Sequence, residues 1–319
     1  MMYTTERKPD SASVLSTLAG IIREHRAPVD RMLGNAGSLQ VFNPFQQEMH
    51  TGLRRISKPV SDTFWSRMGI RRLILDQTFS PVSHEAWNAE NGDGRPGSGG
   101  WESMKNDTLT KDLEGIFSCC PIIEFADWAG VSDASGFWDG LFSDVIGPLE
   151  RRDFHFIFHL GDVAGKGVFE IDEALDIIGD YSSSGKVTLI LDGYEADNLW
   201  SILNGAGTPP ADEKYLSLFR TLNIGTLLVL QDGCGMLFSR DGEFALAGRS
   251  PVGLRGAIDA RRRFAAGYQI GSLLQLEPLY CMALGLAVSG GCGAPSAGPG
   301  SAMLLSYLNE WIDDLKTSL

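Results

Sequence analysis

The sequence predicts an α/β fold built on a mostly parallel sheet, and three observations predict it. Short apolar runs, CPIIEFA at 120–126, DFHFIFHL at 153–160, KVTLILD at 186–192 and IGTLLVLQD at 224–232, have the length of buried strands. The stretches between them carry apolar residues at helical spacing, and such alternation signals βαβ units, because each crossover must cover a face of the sheet. The series closes in CGMLFS and GEFALAG, joined by Arg240-Asp241-Gly242, which reads as an antiparallel hairpin at the end of the sheet.

Taken in order, the first element is the helix DSASVLSTLAGIIREHR, with Asp10 or Ser11 able to cap it and Val14, Leu15, Leu18, Ile21 and Ile22 along one face. Pro28 is expected to end it. Residues 29–70 are poorly patterned, broken by Gly34, Gly37, Pro44 and Pro59, with TFWSRMGI as a short helix candidate. RRLIL at 71–75 is a strand candidate, and NGDGRPGSGG at 91–100 is a loop. Beyond it, helices are expected at 104–118, 133–146, across FEIDEALDIIGDY, at 194–204 and at 211–222. After the hairpin come apolar helices at 259–275 and 277–289, a Gly/Ser/Pro loop at 289–301, and the amphipathic helix SAMLLSYLNEWIDDL.

Composition narrows the function. The chain has 319 residues, long enough for one large α/β domain or two smaller ones, and 43% of them are apolar, enough to fill a substantial core. Its net charge of −13 opposes nucleic acid and anionic membranes as principal partners, so neither is expected. No apolar run approaches the roughly 18 residues of a membrane span. The cysteines, Cys119, Cys120, Cys234, Cys281 and Cys292, are odd in number and lack Cys-x-x-Cys spacing, which points to a reducing compartment and a cytoplasmic protein. The Cys119-Cys120 tandem precedes an apolar run and reads as small buried hydrophobes.

Two tempting motifs fail on geometry. GDVAGKG at 161–167 is one residue short of Walker spacing and has no Ser or Thr after its lysine, so it reads as a strand-to-helix loop. His155 and His159 lie on a strand pattern, where their separation is roughly 13 Å, too far for one metal ion to bridge. Asp192 with Glu195 is the strongest polar pair: a strand end followed by a turn can aim both carboxylates at one cation, or use them to cap a helix.

Several stretches together resemble the PfkB or ribokinase-like carbohydrate kinases, over about residues 100–319. KVTLILDGYEADNL places Asp192-x-x-Glu195 where that family has Asn-x-x-Glu; IGTLLVLQDGCG is similar to its glycine-ended strand, SRDGEFALAG to its hairpin, and RFAAGYQIGSLLQLEPLYCMALGLAVSGG to the two helices that follow. WESMKNDTLTKDLEGIFSCCPIIEFADW and DFHFIFHLGDVAGKG are similar to segments upstream, and the loop SGGCGAPSAGPG corresponds to a region that lies beside the adenine. The resemblance implies a single ribokinase-like three-layer α/β domain over 1–319, with helices on both faces. Its nucleotide side would occupy 101–319, and the lid would be reduced or absent. Over residues 1–100 the substrate region looks eroded: APVDRMLGNAG is a frayed echo of the first strand with its substrate-binding aspartate, and no Gly-Gly pair occurs between 30 and 90.

The resemblance also implies site residues. The glutamate of the Asn-x-x-Glu motif organises magnesium-bound water, which assigns Asp192 and Glu195 to metal. The family's Gly-Ala-Gly-Asp turn offers backbone N–H groups to the transferred phosphoryl group, and its aspartate is the general base. In GAIDARRRFAAGY an ungapped alignment puts Arg262 at the aspartate position, and an arginine cannot be that base. A shifted alignment keeps Asp259 as the base but puts Ile258 where close backbone approach needs glycine. The anion or nucleotide side would then involve Gly256, Ala257, Arg261, Arg262 and Gly235. Three consecutive arginines oppose the dipole of a helix start by ~0.3–1 kcal/mol each, unless an anion or acidic partner sits there; a solvated helix start is the other reading. The expectation is a kinase-like protein impaired in catalysis that binds ATP with Mg2+, another nucleotide or a sugar phosphate in a regulatory role. An active ATP-dependent sugar or nucleoside kinase, and a non-catalytic interaction protein with a homodimer or protein partner, are the alternatives.

Overall fold

The computed structural model describes residues 10–37, 70–74, 100–118, 120–205, 209–231, 233–249, 258–291 and 300–317. The TFWSRMGI helix (except Ile70, which opens a strand), the loop at 91–99, Cys119, Cys292 and most of the SGGCGAPSAGPG loop lie outside the described residues. The chain forms two compact units, 39–227 and 1–38 with 228–319.

Helix α1, Ser11–Glu24, starts at Asp10, whose carboxylate accepts the Ser13 amide at 3.3 Å. Val14, Leu15, Leu18, Ala19 and Ile22 line its buried face. A second helix, α2, Arg26–Gly37, follows at once, which corrects two expectations. Pro28 does not terminate helical structure, because it falls in the first turn of α2, where a missing N–H costs no intrahelical bond. APVDRMLGNAG is helix and not a strand: Val29, Met32 and Leu33 bury at helical spacing.

In the unit 39–227 the strand order is β1 (Ile70–Ile74), β2 (Ile122–Phe125), β3 (Phe154–Phe158) and β4 (Gly185–Asp192), and β5 (Thr226–Gln231) is the next strand in the chain. β1 is antiparallel to β2, and β2, β3 and β4 are parallel neighbours. Between them lie α3 (Trp101–Met104), α4 (Asp107–Phe117), α5 (Ala134–Leu141, continued by a wider turn at Phe142–Ile146), α6 (Val168–Asp180), α7 (Gly193–Asn204) and α8 (Ala211–Thr221). Each expected strand and helix from 107 onward is present.

Register sorts the side chains of these strands onto two faces. One face carries Ile123, Phe125, Phe156, Phe158, Val187 and Leu189. Phe125 stacks on Phe158 at 4.7 Å, and Tyr181, in the short turn after α6, meets Phe125, Phe156 and Phe158 edge-on. Tyr181 and Trp138 of α5 are fully buried there, and the Tyr181 hydroxyl donates to the Trp138 carbonyl at 2.8 Å, so the phenol's polar end is not stranded. The opposite face is also buried but partly polar, with Glu124, His155 and Thr188 among Ile122, Ile157 and Ile190.

In the other unit the later part of β5 is followed by β6 (Cys234–Ser239) and β7 (Gly242–Ala247), an antiparallel hairpin turning at Arg240-Asp241. Then come α9 (Ile258–Leu273), α10 (Pro278–Gly291) and α11 (Ser301–Thr317). α9 and α10 pack closely because glycines face each other: a Cβ on Gly267 would stand 2.8 Å from the Gly285 Cα and the Leu284 carbonyl oxygen. α11 is tied to α2 through Asp30, whose carboxylate accepts the Ser301 amide at 2.5 Å. That amide bond, with the Ser301 hydroxyl, holds the Asp30 carboxyl below its ordinary range.

Two tests follow from this packing. Gly267→Ala is expected to destabilise the chain by about 1–3 kcal/mol in urea unfolding, although alanine has the better helix propensity, because two backbones must separate to admit the methyl group. His155 is held neutral by burial, and secondarily by the Lys186 charge, with its pKa lowered from 6.5 to about 4, while its ring meets the Thr188 hydroxyl at 2.8 Å. A buried neutral imidazole favours the folded state above the unfolded pKa and loses that advantage as pH falls from 6.5 toward 4. His155→Gln should therefore flatten this acid-side decline in urea midpoints by up to about 3 kcal/mol, an upper bound because the residue as a whole is only partly buried.

Candidate functional site

Helix α7 begins directly at the end of β4, and its first turn answers the question posed by Asp192 and Glu195. Asp192 is the N-cap: its carboxylate accepts the Glu195 amide at 2.7 Å, and the Glu195 carboxylate accepts the Asp192 amide at 2.9 Å. This reciprocal pair is a capping box, which satisfies backbone donors that the helix itself leaves without acceptors. Glu195 is buried, and the α7 dipole favours both negative charges. Each carboxylate gives one oxygen to the box, so the pair is a rigid structural cap first. Among the described residues no group of three or more His, Cys, Asp or Glu is placed to hold a metal ion.

Further along α7, Asp197 accepts from the Lys214 ammonium at 2.7 Å and the Tyr215 hydroxyl at 3.0 Å, which fastens α7 to α8. The GDVAGKG segment is a strand-to-helix loop, as its spacing suggests: the Lys166 ammonium lies 5.1 Å from the Trp128 ring centre, and the Asp162 carboxylate accepts the Ala164 amide. Val168 and Phe169, at the start of α6, and Tyr194, in the first turn of α7, are exposed.

A second polar pair in this unit was not singled out from sequence. The Glu124 carboxylate and the His159 imidazole meet at 3.3 Å, with side chains 0% and 4% exposed. They sit at the carboxyl ends of β2 and β3, the edge at which open parallel sheets take ligands. A charge inside the otherwise apolar CPIIEFA was the available signal. Its partner was hidden because His159 lies in a different apolar run.

The remaining predicted residues belong to the other unit. α9 starts at Ile258, which puts Asp259 in its first turn and Arg261 and Arg262 just behind it. Gly256 and Ala257 lie outside the described residues, as do the side chains of Asp259 and Arg262. Ala260 is buried, and its carbonyl accepts the Ser289 hydroxyl at 3.1 Å. Gly235, in β6, has a packing role: a Cβ there would come within 3.0 Å of the Met282 sulfur and 3.2 Å of a Leu286 methyl on α10. Asp30, in the segment resembling a substrate-binding strand, is a helix-side residue that caps α11. No helix among the described residues is long and apolar enough to cross a membrane.

No protein-family model and no curated protein matches this sequence. Solved kinases are similar to it in structure. A ribokinase from Arabidopsis thaliana, complexed with ribose and ATP, aligns at 14% identity and TM-score 0.44 over 64% of this chain and 59% of its own. The nucleoside kinase of Methanocaldococcus jannaschii, an archaeal member of the ribokinase family, aligns at 14% identity and TM-score 0.41 over 60% of this chain and 56% of its own. The adenosine kinase of Trypanosoma brucei brucei aligns at 12% identity and TM-score 0.42, covering 60% and 55%. This chain thus spans less than two thirds of the length of these solved chains, and the α/β architecture described above rests on its own strand pairing.

The capping box carries a direct prediction. Asp192→Ala should lower stability by about 0.5–2 kcal/mol, the usual cost of losing an N-cap, whereas Asp192→Asn should cost much less. Urea unfolding midpoints of the two variants against the wild type provide the measurement.

Proposed function

We propose that this chain is a divergent ribokinase-like protein that has lost most phosphoryl-transfer capacity and binds a nucleotide or sugar phosphate in a regulatory role. The observation that carries this reading is the capping box. A strand running straight into a helix through Asp192-x-x-Glu195 keeps the family-like connection, while both carboxylates hold the helix start together. Gly235 supports the reading in the same way, since its missing side chain makes room for α10. An arginine at position 262 cannot accept a hydroxyl proton, and losing a positioned base costs about 10²–10⁴ in rate. ATP and Mg2+ are the proposed ligands, with Glu195 as the proposed metal-side residue and Arg261 and Arg262 as proposed anion-side residues.

One observation favours a second reading, an active ATP-dependent sugar or nucleoside kinase. α9 starts at Ile258, so Asp259 occupies a first helical turn, a location suited to a general base beside an anion hole.

The deciding experiment is a thermal-shift titration with ATP and ADP, with and without Mg2+, on wild type and Glu195→Gln, together with a phosphoryl-transfer assay on simple sugars and nucleosides. Glutamine keeps an acceptor for the Asp192 amide and removes the charge. Nucleotide should raise the wild-type midpoint, by about 2.7 kcal/mol of stabilisation at a hundredfold excess over Kd, and the magnesium-dependent part should vanish in Glu195→Gln with transfer near background. Turnover that is robust in wild type and abolished in Asp259→Asn would establish the second reading instead. A midpoint that no nucleotide moves would remove the ligand from the proposal.

A further inference from the structure

The Glu124–His159 contact joins two turns and not only two strands. His159 donates its amide to the Phe125 carbonyl at 3.0 Å, and the turn after β2 returns the connection, with the Trp128 amide donating to the His159 carbonyl at 3.4 Å and the Ala129 amide to the Leu160 carbonyl at 2.8 Å. Asp127 adopts a left-handed conformation at φ 59°, and Gly161 does so at φ 77°. The Asp127 carboxylate lies so close to Gly161 that a Cβ there would stand 2.5 Å from its oxygen. Segments 126–131 and 159–167 are therefore one doubled turn, with the buried carboxylate and imidazole at its root.

We propose that Glu124 and His159 form a proton-operated clasp for this doubled turn. With the imidazole protonated, the contact is an ion pair between buried groups that water cannot replace; with the proton gone, a carboxylate is left beside a neutral ring and the hold weakens. Charged and titratable groups among the described residues stand near the clasp. Arg72 stands opposite Glu124 in register on β1; His155 shares the strand face of His159 and is held neutral; Lys186 on β4 is in register with His155. From the turns themselves come Asp127, Asp162 and Lys166, the last over the Trp128 ring. Histidine is the member of such a pair whose ordinary titration falls near neutral pH, so His159 is the member that switches. The clasp does not depend on the nucleotide-binding reading, since it governs the order of the doubled turn in the chain alone.

The test combines imidazole ¹⁵N NMR of the wild-type chain with amide hydrogen exchange, corrected for intrinsic rates, from about pH 5.5 to about pH 8.5. The His159 ring should lose its proton within this range. Protection of the amides of 128–131 and 159–164 should fall about tenfold or more in the same step, while amides 187–191 of β4 stay unchanged. Glu124→Gln should abolish the step. A His159 ring in one state throughout, protection that does not follow its titration, or a step that persists in Glu124→Gln would each overturn the clasp. Should Glu124→Gln fail to fold, the wild-type titration decides alone.

Discussion

The structure of the unit 39–227 depends on drying one face of its parallel strands. Parallel strands have no polar face to turn to water, so their side chains must be covered on both sides. Here Phe125, Phe156 and Phe158 form a continuous aromatic surface, and Tyr181 and Trp138 close over it. Tyr181 does this without stranding a hydroxyl, because its donor reaches the Trp138 carbonyl. The seat of α5 and the end of α6 follow from that contact.

With one face fixed by aromatic packing, polar groups that share these strands are forced to the other. Glu124, His155 and Thr188 alternate with the aromatics and with Ile123 and Val187, and each finds a partner near the sheet plane. The result is a buried face carrying ionisable groups, where removing one partner leaves an uncompensated polar atom. It is also the part of the unit whose behaviour can follow proton concentration without any ligand.

Carboxylates recur at helix starts. Asp10 caps α1, Asp30 reaches across to the first residue of α11, and Asp192 with Glu195 closes the first turn of α7. A helix N-terminus presents free donors and a positive dipole end, so it attracts an acid whether or not any substrate is present. That shared physics makes an Asp-x-x-Glu motif ambiguous: a cation site and a capping box require the same residue types at the same spacing.

The sequence by itself determined the strands from 122 onward, the helices between them and the closing hairpin, because apolar periodicity of 2 or 3.6 is a local property. It misjudged 26–37, where Pro28 looked like a stop; only the position of the proline within the first turn of α2 makes it harmless. What Asp30, Gly235 and Glu124 do was decided by tertiary structure alone. Asp30 acts on a residue 271 positions away, Gly235 answers to α10, and Glu124 meets a histidine from the next strand. Side-chain partners are set by which elements become neighbours in space, and a linear pattern records only which face of its own element each residue occupies.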